Sequence, residues 1–131
     1  MKKLNIVKEL VNIKSFDMKD NRQIIDYLTE KFQPYCKEIL KIKIPNTNLY
    51  NLLIGVNTNL KDTKAIILSG HIDTVPANEK LYNTNPYEAT LIGDKLYGLG
   101  IIDMKCFFAS ILDCIKEISS LNLPHRNSNN R

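Results

Sequence analysis

Apolar residues recur at Leu4, Val7, Leu10 and Val11, three or four positions apart, and this spacing predicts a helix over 2–13. A polar loop follows over 15–20. Asp20 or Asn21 then stands where an N-cap belongs, ahead of a second apolar face made of Ile24, Ile25, Leu28 and Phe32, and Pro34 ends that helix. Beyond it the period changes from helical to alternating. Residues 39–44 alternate Ile and Lys as an edge strand does, 49–56 reads as a second strand, and 65–69 is a short, wholly apolar strand of the buried kind. The polar run VNTNLKDTK joins the last two as a hairpin. Ile92-Gly93-Asp94-Lys95 makes a tight turn between short strands at 89–91 and 95–97. The last predicted element is a helix over 105–119, with Phe107, Phe108, Ile111, Leu112, Ile115 and Ile118 as a stripe wide enough to pack on a sheet.

Helices and strands mixed in this order, with apolar strands feeding polar loops, predict an α/β sandwich whose ligands gather at the carboxyl ends of the strands. The 131 residues fit one domain, and the formal charge of +4 comes from lysines spread along the chain rather than from a basic run. Nucleic acid is therefore not an expected partner. The opening MKKLNIVKELVNIK starts like a signal peptide, but charged and polar residues interrupt its apolar segment, and it reads as a surface helix. No stretch approaches the roughly 20 apolar residues that span a bilayer, so no membrane partner is expected and the expected location is the cytoplasm. Cys36, Cys106 and Cys114 are odd in number and fall in no paired spacing, which reads as reduced, structural thiols.

Candidate chemistry concentrates in two segments, SGHIDTVP at 69–76 and KLYGLGIIDMK at 95–105. In an extended segment residues two apart project to the same face, so His71 and Asp73 address one site. A carboxylate there can accept a proton from the imidazole and fix its tautomer, leaving the other nitrogen for a metal. Asp103 stands immediately before the last helix, and its two oxygens suffice to bridge two cations about 3.5 to 4 Å apart. Each residue alone has a simpler reading. A histidine after a strand is commonly a hydrogen-bonded loop residue, an aspartate before a helix is commonly its cap, and Gly70, Pro76, Gly98 and Gly100 serve as turn residues. The conjunction of all of them favours a site.

SGHIDTVP and KLYGLGIIDMK resemble the two amino-terminal signatures of the zinc aminoacylase and carboxypeptidase superfamily of metallopeptidases. The spacing between them, the NPYEATLIGDKLYG approach to the second, and an opening at 10–15 similar to the family's LV-x-I-x-S segment extend the resemblance over residues 1 to about 118. Many members carry Arg where this chain has Leu99; the LYGLG form followed by DMK is similar to the acetylornithine deacetylase branch in particular. The resemblance implies a zinc-exopeptidase-like three-layer sandwich with a mixed sheet, present here only as its incomplete amino-terminal part. It implies His71 as a ligand of one metal ion, Asp103 as the bridge between two, and Asp73 as the catalytic residue that orients His71. The peptide after Asp103 would be cis. The implied cofactors are two divalent ions, zinc or cobalt, and the implied reaction is amide hydrolysis by metal-activated water on a small acylated amino acid, acetylornithine giving ornithine and acetate in arginine biosynthesis. A homodimer is the implied assembly.

Several features depart from that pattern. Cys106 occupies a place where the family usually has Gly, and a side chain there is expected to crowd the helix start. After the helix the family continues into a core strand and a Glu-Glu pair, the general base and a metal ligand. Residues 121–131, LNLPHRNSNNR, hold no apolar strand and no Glu, so 1–120 reads as the amino-terminal part of a catalytic domain and 121–131 as an aberrant polar tail, with no lid or dimerisation domain. His125, in a Pro, Asn and Ser tail, is no substitute for a rigidly held ligand. Two protein ligands imply weak or no metal binding, and without the base the chain is expected to be inactive alone and marginally stable. Three outcomes stay open: an inactive fragment, half of a two-chain enzyme or another amidohydrolase of the family, or a noncatalytic binding protein.

Overall fold

The computed structural model describes residues 2–58, 60–61 and 65–121. Helix α1 (Lys2–Asn12) and helix α2 (Arg22–Phe32) form where the apolar spacing places them. A single 3₁₀ turn at Gln33–Tyr35, with Pro34 inside it, closes α2. Strands β1 (Glu38–Lys43) and β2 (Tyr50–Gly55) pair antiparallel, Glu38 opposite Gly55 and Lys43 opposite Tyr50. Their connection is fastened by Ile44 N–H, which donates to the Leu49 carbonyl at 2.8 Å. Strands β3 (Thr90–Ile92) and β4 (Lys95–Tyr97) form a second hairpin on a two-residue turn. Gly93 opens that turn at φ 61°, the left-handed geometry that tight hairpins require. A wound turn at Ile101–Lys105 leads directly into α3 (Cys106–Ser120).

The core is helical. Ile6, Val7, Leu10 and Val11 of α1 meet Ile24, Leu28 and Phe32 of α2 and Ala109, Leu112 and Ile115 of α3, and Leu10 is 0 % exposed. The β1–β2 hairpin lies over this cluster through half-buried Ile39, Leu52 and Ile54, so only alternate residues of β2 face inward. Among the described residues no helix is long and apolar enough to cross a membrane. The three cysteines are free. Helix α3 starts on Cys106, whose half-buried side chain packs against the core.

Four expectations change. Residues 65–69 run without a strand partner and are exposed, Ile66 at 92 % and Ile67 at 82 %, so the buried strand and its hairpin with 49–56 are absent. The partner of β2 is β1, which reaches it through a short connection. An apolar strand of the 65–69 kind needs cover on both faces, and the described residues lay nothing over it. Second, the stripe of α3 holds only in part: Leu112 and Ile115 are buried and Phe108 and Ile111 pack half-buried against the core, but Ala109 joins them, Ile118 is exposed and Phe107 covers Gly70. Third, of the two candidate caps the Asn21 side chain does not serve α2. Its amide donates to the Tyr50 carbonyl at 2.9 Å and accepts from Tyr50 N–H at 2.8 Å, a two-bond ladder that ties α2 to β2. Asp20 takes the N-terminal role instead, accepting from Arg22 N–H at 2.9 Å and pairing with the Arg22 guanidinium. Fourth, the described strands make two separate two-stranded sheets rather than one mixed sheet between helical layers. The mixture of helices and strands is as expected; the polar tail at 122–131 lies outside the described residues.

Candidate metal centre

His71 and Asp73 lie on an extended segment, and Asp103 lies in the turn before α3. The fold brings them together across 32 residues: His71 Nε2 is 2.9 Å from Asp103 Oδ1. On the other side of the ring, Nδ1 is 3.0 Å from the Asp73 main-chain oxygen and 3.4 Å from its Oδ1. All three side chains are exposed. The peptide bond between Asp103 and Met104 is cis. With acceptors at both ring nitrogens the imidazolium is favoured, and the His71 pKa is raised, first by the Asp73 carbonyl and then by the Asp103 carboxylate.

Two backbone features let these segments meet. Gly100 adopts φ 73°, and a side chain there would collide with the Thr74 methyl, so this turn closes directly onto the His71 segment. At Gly70 a Cβ would come within 2.7 Å of a Phe107 ring carbon and 2.8 Å of Met104 Cε. The His71 N–H donates to Met104 Sδ at 3.4 Å, a further link between the two segments.

The sequence assigned no role to Lys105, Ser15, Thr74 or Met104, yet all four frame the site. Lys105 is 3 % exposed and donates through Nζ to the Ile13 carbonyl at 2.8 Å. Burial pulls its pKa down to about 8. Thr74 N–H donates to the Ser15 carbonyl at 2.8 Å. The available signal was a lysine set between apolar neighbours, but a lysine in sequence reads as solvated by default.

An imidazole nitrogen and a carboxylate oxygen that converge from separate segments are donors suited to zinc. The donor types therefore fit a divalent cation. Their number falls short, because no group of three or more His, Cys, Asp or Glu among the described residues is arranged to hold a metal ion.

Residues 67–128 match the sequence profile of Peptidase family M20/M25/M40, and this segment contains all three converging residues. The chain belongs to that family of metallopeptidases. Its relatives sharpen the assignment. It is 43 % identical over 108 residues to the acetylornithine deacetylase of Buchnera aphidicola subsp. Schizaphis graminum, which covers 79 % of this chain and 27 % of that protein. It is 38 % identical over 99 residues to the acetylornithine deacetylase of Buchnera aphidicola subsp. Acyrthosiphon pisum (strain Tuc7), covering 76 % of this chain and 25 % of the relative. The acetylornithine deacetylase of Yersinia pseudotuberculosis (strain IP 31758) is 43 % identical over 83 residues, 61 % of this chain and 21 % of its own length. The chain thus spans about a quarter of the curated relatives it matches.

Proposed function

We propose that these residues are the amino-terminal part of a zinc-dependent amidohydrolase that removes the acetyl group from N-acetylornithine, a step of arginine biosynthesis. The observation that carries the reading is the 2.9 Å approach of His71 Nε2 to Asp103 Oδ1. His71 and Asp103 would hold the divalent ions, and Asp73 would orient the His71 ring through Nδ1, leaving Nε2 for a metal. A divalent ion held there supplies Lewis-acid polarisation of the amide carbonyl and lowers the pKa of water. Zinc sites normally draw on at least three protein ligands, so the His71–Asp103 pair alone binds weakly. A general base typically contributes a factor of about 10² to 10⁴, and among the described residues no side chain beside the pair takes that role. The 131 residues alone are therefore inactive, and further protein, on the same chain or a second one, completes the centre, carries the dimer contact and grips the substrate.

Cobalt titration followed by visible absorption tests the site. Weak binding is expected in the unaltered chain and its loss in both His71→Ala and Asp103→Asn. Binding that survives both substitutions overturns the ligand assignment. Ornithine release from N-acetylornithine by the 131 residues alone overturns the expected inactivity, while appearance of that activity only with the remainder of a deacetylase added supports completion by further protein.

A further inference from the structure

The segment LVNIKS at 10–15 has no part in the chemistry proposed above, yet it is hydrogen-bonded to the segments that carry the site residues. Within four residues it offers three acceptors. Asn12 Oδ1 accepts from Ala89 N–H at 3.1 Å, the Ile13 carbonyl accepts from Lys105 Nζ at 2.8 Å, and the Ser15 carbonyl accepts from Thr74 N–H at 2.8 Å. These donors belong to three different segments. Thr74 adjoins Asp73, Lys105 lies two residues after Asp103, and Ala89 precedes β3, whose hairpin leads into the Gly100 turn. Leu10 and Val11, which start the segment, are anchored in the helical core. Ser15 Oγ and Thr74 Oγ1 are buried without a hydrogen-bond partner among the described residues, so the main-chain bond between these residues carries the connection.

We infer that Lys105 is a positioning residue: its buried side-chain nitrogen, bound to the Ile13 carbonyl, ties the Asp103 turn to the same short segment that holds the His71 segment through Ser15, and this shared anchor sets the approach of His71 to Asp103. The geometry gives Lys105 this task more readily than a part in the reaction. Its Nζ points into the protein onto a main-chain oxygen, whereas Asp103 is exposed. A lysine is seldom fully buried without a charged partner, and no carboxylate pairs with Lys105 among the described ion pairs. Holding a cation in such a place is justified by the connection it makes. The inference rests on the reading of His71 and Asp103 as the functional pair, but its test needs no metal.

The chain has two histidines, so ring ¹⁵N spectra of the metal-free protein are readily assigned with His71→Gln as control. Asp103→Asn supplies the signature of a ring without its carboxylate partner. In Lys105→Met the His71 ring signals are expected to move to those of Asp103→Asn while far-UV circular dichroism stays unchanged, and Lys105→Arg, which keeps a donor for Ile13, restores the original signals. Unmoved His71 signals in a folded Lys105→Met overturn the inference, as does failure of a folded Lys105→Arg to restore them. Should Lys105→Met not fold, the unaltered protein decides. Slow solvent exchange of the Lys105 ammonium with cross-relaxation to Ile13 is expected, and an ammonium exchanging as fast as the exposed lysines overturns the tie. Absence of cobalt binding in the unaltered chain would count against the metal site and leave these spectra unaffected.

Discussion

The apolar face of α1 and the apolar run at 65–68 are made of the same kinds of residue, yet one forms the centre of the protein and the other stands in solvent. Leu10 is 0 % exposed and Ile67 82 %. Hydrophobicity is a tendency that needs a partner surface to act on. The partners of α1 are α2, which follows it closely in the chain, and α3, which returns to it from the far end of the described residues. A strand with two apolar faces requires layers above and below, and 65–68 has neither among the described residues. The helical part is self-sufficient, whereas the unpaired segment that leads to His71 is not.

The sharpest way to break this comparison is to remove methyl groups from each region. Leu10→Ala is expected to cost about 2–5 kcal/mol in urea denaturation, since the site is fully enclosed. Ile67→Ala is expected to change stability by no more than about 0.5 kcal/mol, as at other exposed positions. Equal losses would mean that 65–68 is covered in solution. In that case the covering surface is most simply a second copy, and light scattering of Ile67→Lys would show the associated species disappear.

The two left-handed glycines sharpen the contrast between the site and an ordinary turn. Gly93 and Gly100 have nearly the same φ, 61° and 73°, but a side chain at Gly93 meets nothing within 4 Å while one at Gly100 strikes Thr74. Gly93→Ala is expected to cost the backbone term alone, about 1–2 kcal/mol. Gly100→Ala is expected to lose that and more, and to separate the Asp103 turn from the His71 segment. Thermal midpoints of the two variants measure the difference, and equal shifts would show that the Gly100 turn is not packed against Thr74.

Much of this division was legible in the sequence. The two first helices and the Gly93 turn follow from local rules, a 3.6-residue period and one residue able to take positive φ. His71, Asp73 and Asp103 were legible through their motifs, and the fold brings the three together. The pairing of β2 was not, because a strand pattern over 49–56 says that a partner exists without saying which. Nor was Asn21, whose position before an apolar face suits a cap as well as the Tyr50 ladder it makes. The buried Lys105 and its bond to Ile13 arise from tertiary packing across 92 residues, which no local pattern encodes.

Asn21 offers a test of how far the hairpin depends on the helices. Asn21→Ala leaves the Tyr50 N–H and carbonyl without their partner and is expected to cost about 1–3 kcal/mol. The loss should appear first as faster amide exchange along β2, with α1 and α3 amides less affected. Uniform acceleration throughout would mean that helices and hairpin unfold as one unit.

The smallest effect lies between α1 and α2. Glu9 accepts from the Tyr27 hydroxyl at 2.7 Å and pairs with Lys31 at 3.2 Å. These contacts, the Tyr27 hydrogen bond foremost, lower the Glu9 pKa below 4.5. A carboxyl whose pKa is depressed on folding binds fewer protons in the folded than in the unfolded state, so its contribution is present above the unfolded value near 4.5 and is lost as pH falls through the folded value. Because Glu9 is about half exposed, solvent screening keeps the effect small. The stability difference between the unaltered chain and Glu9→Gln should therefore narrow as pH is lowered below 4.5 and stay level from there to neutrality. A difference that widens on acidification would place the clasp elsewhere, with Tyr27 and Lys31 meeting through their cation–ring contact at 5.0 Å instead of through the carboxylate.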